Sequence, residues 1–385
     1  MKKYLQSFIE EKKTTLLGVG PMSKNCVDAC CEIASYKIPL MLIASRRQID
    51  SEEFGGGYVE NWTTSKYSKY VLKKNKNIIL CRDHGGPWQN NLEVEKKLNL
   101  KDAMRSAKIS YQNDIDNNFK IIHIDTSINY SGIKLTIKES LNRLFELIIF
   151  CHDYAQKKNK KILFEVGTEE QSGTTSTFEE IDFFLNQISN FCSKERLDKP
   201  AFIVLQTGTK VMEMENVGSF ESEIRVKYEI PPEIQIFKVL ELCKKYGIWM
   251  KEHNGDYLSN ESLKWHPLLG IHAVNVAPEF GVEETKKFIE ILNFYNLKEI
   301  KEQFLNLSYS SNKWQKWLKE KSQASDYEKS IISGHYVFSD PKFYEIKEKT
   351  LRSLKNKKID IDRILRLHVK SKIIRYLEHF KLINK

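Results

Sequence analysis

Eight short, almost purely apolar runs recur along the chain, and longer segments of mixed character separate them. The runs are TLLGVG (15–20), PLMLIAS (39–45), IILCRD (78–83), KIIHIDTS (120–127), KILFEVG (161–167), AFIVLQTG (201–208), GIWMKEHN (247–254) and IHAVNVAP (271–278). A run without polar alternation is typical of a parallel strand that is buried on both faces. The intervening segments are long enough for crossover helices, as in LTIKESLNRLFELIIFCHDYAQKK (135–158). Eight such strand-and-helix units predict an α/β fold, a (β/α)8 (TIM) barrel, with an open doubly wound sheet as the competing architecture.

The strand pattern ends near residue 285, and the rest of the chain has the pattern of successive helices broken near SGHYVFSDP (333–341). We therefore predict a barrel over residues 1–285 and a helical C-terminal extension over residues 286–385. Neither GxGxxG nor GxxxxGK[ST] follows the first strand, so the usual nucleotide-binding motifs of an open sheet are missing. This favours the barrel.

Composition indicates a soluble globular protein, because 41% of the residues are hydrophobic and 29% are charged. No apolar run approaches the ~20 residues that span a bilayer, and the positive start MKKYLQSFIEEKK lacks the apolar segment of a signal peptide. The seven cysteines are odd in number and show no CxxC spacing. We expect reduced thiols in a cytoplasmic protein, without a disulfide framework or a zinc ribbon.

The formal net charge of +10 raises the question of nucleic-acid binding. The lysines are spread along helical segments and are interleaved with glutamates, which is typical of a solvated surface. We therefore expect no nucleic-acid partner, although the positive charge would attract anionic substrates such as sugar phosphates.

Polar and chemically reactive residues gather where the predicted strands end. In strand order they are Asp83 and His84 (third), His123, Asp125 and Ser127 (fourth), Glu165 and Glu169 (fifth), Gln206 and Thr207 (sixth), Glu252, His253 and Asn254 (seventh), and Asn275 (eighth). Active sites of (β/α)8 barrels lie at the carboxyl ends of the strands. Because buried polar groups are costly unless they are paired, we predict that these residues form an active site.

A divalent cation would account for this concentration of polar groups. His84 and His253 with one carboxylate would supply a nitrogen and oxygen ligand set suited to zinc or manganese, with open positions for substrate. Asp83 beside a metal-bound His84 is then a candidate general acid or base. The glycines at 85 and 86 would let the backbone approach the ligand closely.

Each histidine also has a plainer interpretation, because a histidine at a strand end is ordinarily a hydrogen-bonded core residue. We favour that interpretation for His123 and His272, whereas for His84 and His253 both interpretations stay open. The choice between Glu165 and Glu169 also stays open, since one of them could simply pair with a lysine.

The substrate, or its phosphate, is expected to contact small and polar residues of the same loops. Gly56 lies in FGGGY (54–58), which could also be an ordinary turn, and Gly255 follows the seventh strand, near where this fold commonly binds phosphate. The expected contacts are Gly56, Gly85, Asp125, Ser127, Asn254, Gly255, Asp256 and Asn275.

Six stretches, taken in order, resemble the motifs of one known family. They are FGGGY (54–58), IILCRDHGGP (78–87), KIIHIDTS (120–127), VGTE (166–169), EHNGDY (252–257) and VNVAPEFG (274–281). They are similar to FGGY, GGDHLGP, KIHLDAS, IGTE, EAHSTDY and a VGPALTF-like turn in the GatZ/KbaZ-type subunit of tagatose-bisphosphate aldolase. The resemblance covers roughly residues 15–285 and implies a relation to the metal-dependent class II ketose-bisphosphate aldolases.

The resemblance implies site roles as well. His84 and His253 would be metal ligands, Asp83 would be the acid/base, and Glu169 would complete the metal set. One departure is QTGTKVM (206–212), which has no histidine where the catalytic aldolases carry one after the sixth strand. A second is Arg46-Arg47-Gln48, where the family usually has a neutral Asn-Gln pair, and this leaves the substrate open.

From these observations we expect aldol and retro-aldol chemistry on a ketose or ketose phosphate, assisted by a divalent cation. Zinc is favoured, with manganese, nickel, cobalt or magnesium as alternatives. C4 epimerisation is the leading expectation and aldolase cleavage follows it. The alternative is a non-catalytic subunit that supports a separate tagatose-bisphosphate aldolase, so the expected partners are a sugar phosphate, a second copy of the chain or such an aldolase.

Overall fold

The computed structural model describes residues 1–130, 135–167, 178–205, 207–220 and 232–384. Eight parallel strands close into a barrel, in which each strand pairs with the next along the chain and the last pairs with the first. This confirms the (β/α)8 prediction and excludes the open sheet. The strands are β1 (Leu16–Val19), β2 (Leu40–Ser45), β3 (Ile79–Gly85), β4 (Ile121–Asp125), β5 (Leu163–Gly167), β6 (Phe202–Leu205), β7 (Trp249–Glu252) and β8 (Ala273–Val276).

Helices connect the strands and continue beyond the barrel. They are α1 (Lys2–Gln6), α2 (Lys24–Ile33), α3 (Thr64–Lys74), α4 (Asn91–Glu95), α5 (Leu100–Asp116), α6 (Ile137–Lys157), α7 (Phe178–Glu195), α8 (Pro232–Tyr246), α9 (Asn260–Leu269), α10 (Pro278–Phe294), α11 (Lys298–Ser310), α12 (Asp326–Ser333), α13 (Pro341–Ser353) and α14 (Ile361–His379). A short antiparallel hairpin, Val211–Met212 with Glu215–Asn216, follows β6.

Local sequence sets where several of these helices begin. The Ser23 hydroxyl accepts a hydrogen bond from the Cys26 amide at the start of α2. Thr136 and Glu139 form a capping box at the start of α6. Such caps satisfy amide groups that have no partner inside the helix. The residues at each cap therefore fix where the loop after the strand ends and the helix begins.

A buried ion pair fixes the orientation of β3. The Arg82 guanidinium donates to both Asp114 carboxylate oxygens, at 2.8 and 2.5 Å, and neither side chain is exposed. It also donates to the carbonyls of Ala44 and Ile49. Since side chains alternate along a strand, anchoring Arg82 toward α5 leaves its neighbour Asp83 to face the barrel interior.

Two hydrophobic clusters hold the chain beyond β8, and one of them joins it to the barrel core. Helix α14 returns to the barrel, where Val369, Ile373 and Tyr376 join the principal core. A second cluster, which includes Phe288 and Phe304, holds α10 to α13 together. The predicted boundary at residue 285 lies inside α10, the helix that directly follows the last barrel strand.

The described residues include no helix that is both long enough and apolar enough to cross a membrane. All seven cysteines are buried and carry free thiols. Several lie in the barrel core, where cysteine acts as a small apolar side chain.

Candidate active site at the carboxyl end of the barrel

Four side chains, three on strands and one directly after a strand, meet at the carboxyl end of the barrel. They are Asp83 (β3), His123 (β4) and Glu165 (β5), with His253 directly after β7. One potential ligand atom of each lies within 4.8 Å of those of the other three. We call this group the four-residue cluster.

The distances inside the four-residue cluster are compatible with a shared cation. His253 Nε2 lies 3.2 Å from Glu165 Oε1 and 3.7 Å from Asp83 Oδ1. His123 Nδ1 lies 3.7 Å from Glu165 Oε1 and 3.9 Å from Asp83 Oδ1. Nitrogen and oxygen ligands bound tetrahedrally to zinc at about 2.0–2.2 Å are separated by about 3.4 Å. The four imidazole–carboxylate distances thus lie within about 0.5 Å of this separation, and two imidazoles with two carboxylates are a ligand set that suits a divalent ion.

Contacts at both histidines would have to change for an ion to bind all four ligands, and at His253 the Nε2 atom lies 3.0 Å from Asn275 Nδ2, which would have to move away. His123 Nδ1, the nitrogen that faces the cluster, accepts a hydrogen bond from the His84 amide at 3.1 Å. Its other nitrogen, Nε2, is buried and has no hydrogen-bond partner among the described residues. An ion at His123 Nδ1 would replace the amide contact.

A β-bulge explains how Asp83 and His84 both reach the site. Arg82 pairs with Ile122 of β4, but the next pair is Gly85 with Ile124, so the two residues between them have no partner in the ladder. The backbone at His84 has φ 42°, in the left-handed region. The extra residue turns the His84 side chain toward the cavity.

His84 lies beside the four-residue cluster and is held by a carboxylate. Its Nδ1 lies 2.6 Å from Asp125 Oδ2, and its ring centroid is 5.0 Å from that of His253. Gln89 also donates to Asp125 Oδ2, at 2.9 Å. The side chain of His84 is 37% exposed, whereas that of His253 is 3% exposed. The imidazole of His84 is therefore accessible from the cavity.

The charges in this region are strongly interdependent. Burial alone would raise the pKa of Asp83, but the nearby His84 and His253, with a smaller contribution from His123, hold it well below its usual range. Burial opposes protonation of His84, yet Asp83 and Asp125 together raise its pKa to about 9. Asp125 in turn has a pKa of about 2, because the contact with His84 outweighs its burial. The two carboxylates therefore favour the protonated form of His84.

Glu165 joins the four-residue cluster to a buried lysine. Its Oε2 accepts a hydrogen bond from Lys251 Nζ at 2.6 Å, and both side chains are 1% exposed. Although burial raises its pKa, Lys251, His123 and His253 lower the pKa of Glu165 to about 2. Oε1 remains directed at the histidines, so one oxygen serves the ion pair and the other faces the candidate metal position.

A cavity of about 730 Å³ opens directly above the cluster. Among the residues predicted to bind metal or substrate, those that line it are Asp83, His84, His253, Gly56, Asp125, Ser127, Asn254, Asp256 and Asn275. Asn275 Nδ2 lies 3.1 Å from Asp83 Oδ1 and 3.0 Å from His253 Nε2, which links the eighth strand to the cluster. Glu169 lies outside the described residues.

The glycines at 85, 86 and 255 face the protein's own atoms. A methyl group at Gly85 would meet Tyr111 and the His123 carbonyl, and one at Gly255 would meet Val274. At Gly86, where φ is 137°, it would lie 2.0 Å from the Asp125 carbonyl oxygen. Packing of β3 against β4 therefore accounts for Gly85 and Gly86, in place of the predicted clearance for a ligand.

Two members of the four-residue cluster are not singled out by the sequence alone. The sequence favours a core role for His123, and it does not separate Glu165 from Glu169. The sequence does contain one indication, because His123 and Asp125 are two residues apart on β4. In the structure His123 is also in register with Glu165 on β5. Residues at that spacing share one face of a strand, but which face is inside depends on the closed barrel.

The fold and this site define a (β/α)8 barrel with a candidate metal centre at its strand ends. Comparison with protein-family models and with curated protein sequences gives no match. Solved structures do match over most of their length. A probable tagatose 6 phosphate kinase from Sinorhizobium meliloti 1021 is 16% identical with a TM-score of 0.73, over 96% of this chain and 100% of that one.

Two further structures share the architecture. Fructuronate-tagaturonate epimerase from Cohnella laeviribosi has a TM-score of 0.54 at 9% identity, over 96% of this chain and 81% of that one. Fructose-bisphosphate aldolase from Campylobacter jejuni has a TM-score of 0.54 at 14% identity, over 100% of this chain and 94% of that one. At these identities the likeness establishes the shared fold.

Proposed function

We propose that this protein is an enzyme that performs aldol and retro-aldol chemistry on a ketose or ketose phosphate with the help of a divalent cation. The observation that carries the proposal is the buried cluster of two imidazoles and two carboxylates at the floor of the cavity. Asp83, His123, Glu165 and His253 would hold the cation. When bound, it would supply a Lewis acid that polarises a ketose carbonyl.

The fold comparisons support the same class of reaction. An epimerase of fructuronate and tagaturonate and an aldolase of fructose bisphosphate share the barrel. The reactions named for them act on ketose acids or ketose phosphates. Zinc suits the mixed imidazole and carboxylate set best, and manganese, nickel, cobalt and magnesium remain candidates.

His84 has the geometry of a proton carrier in this proposal. It lies outside the four-residue cluster, its ring reaches the cavity, and Asp125 fixes its orientation from behind. A histidine held by a carboxylate in this way is suited to move a proton at a substrate hydroxyl, and a cation bound by Asp83 would offset one of the two charges that favour the protonated form of His84. Asp83 would then act as a ligand. The competing assignment, implied by the family resemblance, makes His84 and Glu169 ligands and Asp83 the acid/base.

C4 epimerisation and aldolase cleavage begin with the same step. Removal of the C4 hydroxyl proton allows the C3–C4 bond to break, and the bonding electrons pass to the C2 carbonyl, which leaves an aldehyde and the enolate of a ketone fragment. Re-addition to the other face of the aldehyde gives the C4 epimer, whereas release gives cleavage products. Trp317 and Tyr336, from beyond the barrel, line the cavity together with strand-end residues. This added wall favours retention of the aldehyde, and so epimerisation.

Elemental analysis and product identification test the proposal together. The purified protein is first analysed for bound metal, then stripped with a chelator and reloaded with one divalent ion at a time. Each form is incubated with fructose 6-phosphate, tagatose 6-phosphate or tagatose 1,6-bisphosphate, and products are identified by NMR. An isomeric ketose identifies an epimerase and trioses identify an aldolase. A well-folded protein that binds no metal and forms no product contradicts the proposal.

The second candidate function is a non-catalytic subunit that supports a separate aldolase. The absence of a histidine in QTGTKVM (206–212) favours it, because the related catalytic aldolases are expected to have a metal ligand there. This candidate predicts that replacing His253 by alanine leaves the activity of a reconstituted aldolase complex unchanged.

A further inference from the structure

Besides His84 and Arg46, three cationic side chains line the cavity that Asp83 and His253 of the four-residue cluster also line. Arg47 follows β2, whereas Lys313 and Lys316 lie between α11 and α12, in the part of the chain beyond the barrel. Two segments that are remote in sequence therefore bring positive charge to one cavity. Like charges placed together destabilise a protein unless an anion compensates them, so this arrangement calls for a ligand.

The charge of the neighbouring Arg46 is already neutralised by the protein. Its guanidinium lies 2.9 Å from Asp50 and 2.5 Å from Glu93, also donates to Ser106, and is fully buried. Arg47 differs. Among the described residues no carboxylate lies within ion-pair distance of Arg47, and its buried Nε has no hydrogen-bond partner. Arg46 therefore has a structural role, and Arg47 has unused donors at the cavity.

Lys316 is in a similar situation. Its ammonium lies 4.6 Å from the ring centroid of Trp317 and 5.4 Å from that of Tyr336, which provide cation–π contacts. In the described part of the chain it has no carboxylate partner within ion-pair distance. The Lys316 residue as a whole is exposed, but partial desolvation of its ammonium by the cavity walls, followed by the nearby Arg47 charge, lowers its pKa to about 8. An ammonium that contacts aromatic rings and has no carboxylate partner would gain from an anion.

The position where this fold often binds phosphate is already filled by a side chain of the protein. The Asp256 carboxylate accepts hydrogen bonds from the amides of Ala277 and Glu279 at the start of α10, both at 2.9 Å. Helix N-termini bind anions through such amides. Since Asp256 satisfies them, a substrate anion has to bind elsewhere in the cavity.

We propose that Arg47 and Lys316, with Lys313 beside them, form a binding site for a terminal phosphate or carboxylate group of the substrate. A guanidinium presents paired N–H donors and an ammonium supplies a compact charge, and both suit either group. The identity of the substrate as a ketose rests on the proposed function, whereas the anion site itself rests on these side chains.

Binding of inorganic phosphate, measured by calorimetry, tests the site without using activity. We expect Arg47→Gln and Lys316→Met each to weaken phosphate binding by about tenfold or more, because each removes charge-assisted hydrogen bonds. Lys321→Met is the matched control, since Lys321 lies on the same connecting segment but is not among the residues that line the cavity, and it should bind as the wild type does. Arg47→Lys keeps the charge and should restore part of the affinity.

Steady-state kinetics then show whether the site prefers a phosphate or a carboxylate group of the substrate. A ketohexose 6-phosphate, a ketohexuronate and the neutral ketohexose are compared as substrates, and KM in the Arg47 and Lys316 variants should rise for the preferred charged one alone. Equal phosphate affinity in the wild type and in the Arg47, Lys316 and Lys321 variants, with unchanged thermal unfolding, refutes the anion site. Loss of phosphate binding in the variants of a protein that converts no ketose keeps the anion site and refutes the proposed function.

Discussion

Replacement of Glu165 by glutamine tests whether the buried charges in the barrel depend on one another. The change keeps the side-chain volume and removes the charge that faces Lys251 Nζ at 2.6 Å, where both side chains are 1% exposed. Breaking a buried ion pair by removing one partner costs about 3–5 kcal/mol, because the remaining charge has neither water nor a counter-charge. We therefore expect Glu165→Gln to lower the free energy of unfolding by that amount.

A second ion pair in the same protein provides the control. Lys108 and Glu146 also lie 2.6 Å apart, but their side chains are 29% and 53% exposed. Exposed pairs contribute about 0–1 kcal/mol, so Glu146→Gln should have little effect. Adding Lys251→Met to Glu165→Gln should recover most of the loss, because no unpaired charge then remains buried.

Urea unfolding in the presence of a chelator measures these differences, since loss of a bound cation then cannot contribute. The quantity compared is the unfolding midpoint at unchanged slope. If Glu165→Gln and Glu146→Gln shift the midpoint equally, burial does not control the strength of these pairs and the reasoning fails. If the double variant is no more stable than Glu165→Gln, the unpaired Lys251 charge is not the cause of the loss.

Three other substitutions probe the metal site, a buried carboxyl group and a strained glycine. His253→Ala should lower metal affinity by about tenfold or more, and His272→Ala, a control at a half-buried histidine outside the four-residue cluster, should not; equal loss in elemental analysis of both excludes the assigned site. Burial raises the pKa of Glu284 to about 7 from 4.5, so its contribution to stability is present below pH 4.5 and is lost as pH rises through 7. Glu284→Gln should therefore unfold with wild-type stability at low pH but be more stable by about 2–3 kcal/mol at pH 8, and a pH-independent difference contradicts this. Gly86→Ala should lower stability by about 2 kcal/mol or more, since φ is 137° and the added methyl group meets the Asp125 carbonyl; an unchanged urea midpoint would argue against this.

Local pattern is sufficient to predict the architecture. Each barrel strand is buried on both faces, and a strand of this kind has a continuous apolar sequence, such as LMLIAS in β2. Polar residues at the ends of these runs predict the region of the site, because the carboxyl ends of parallel strands in a barrel must meet at one end. Asp83 and His253 can be selected from the sequence in this way.

Assignment of residues to places within the site depends on tertiary structure. The bulge after Arg82 moves His84 beside Asp125, and the register between β4 and β5 sets His123 against Glu165. A change of register by one residue reverses the face that a side chain occupies. The local sequence predicts neither the bulge in β3 nor the register between β4 and β5.

The two adjacent arginines also show that the role of a residue depends on the tertiary structure. Arg46 is fully buried against Asp50 and Glu93, whereas Arg47 faces the cavity beside Lys316. In the sequence they are equivalent basic residues after one strand. Partners from distant parts of the chain neutralise Arg46 and surround Arg47 with further positive charge, and such partners meet only when the barrel closes and the C-terminal helices pack over it.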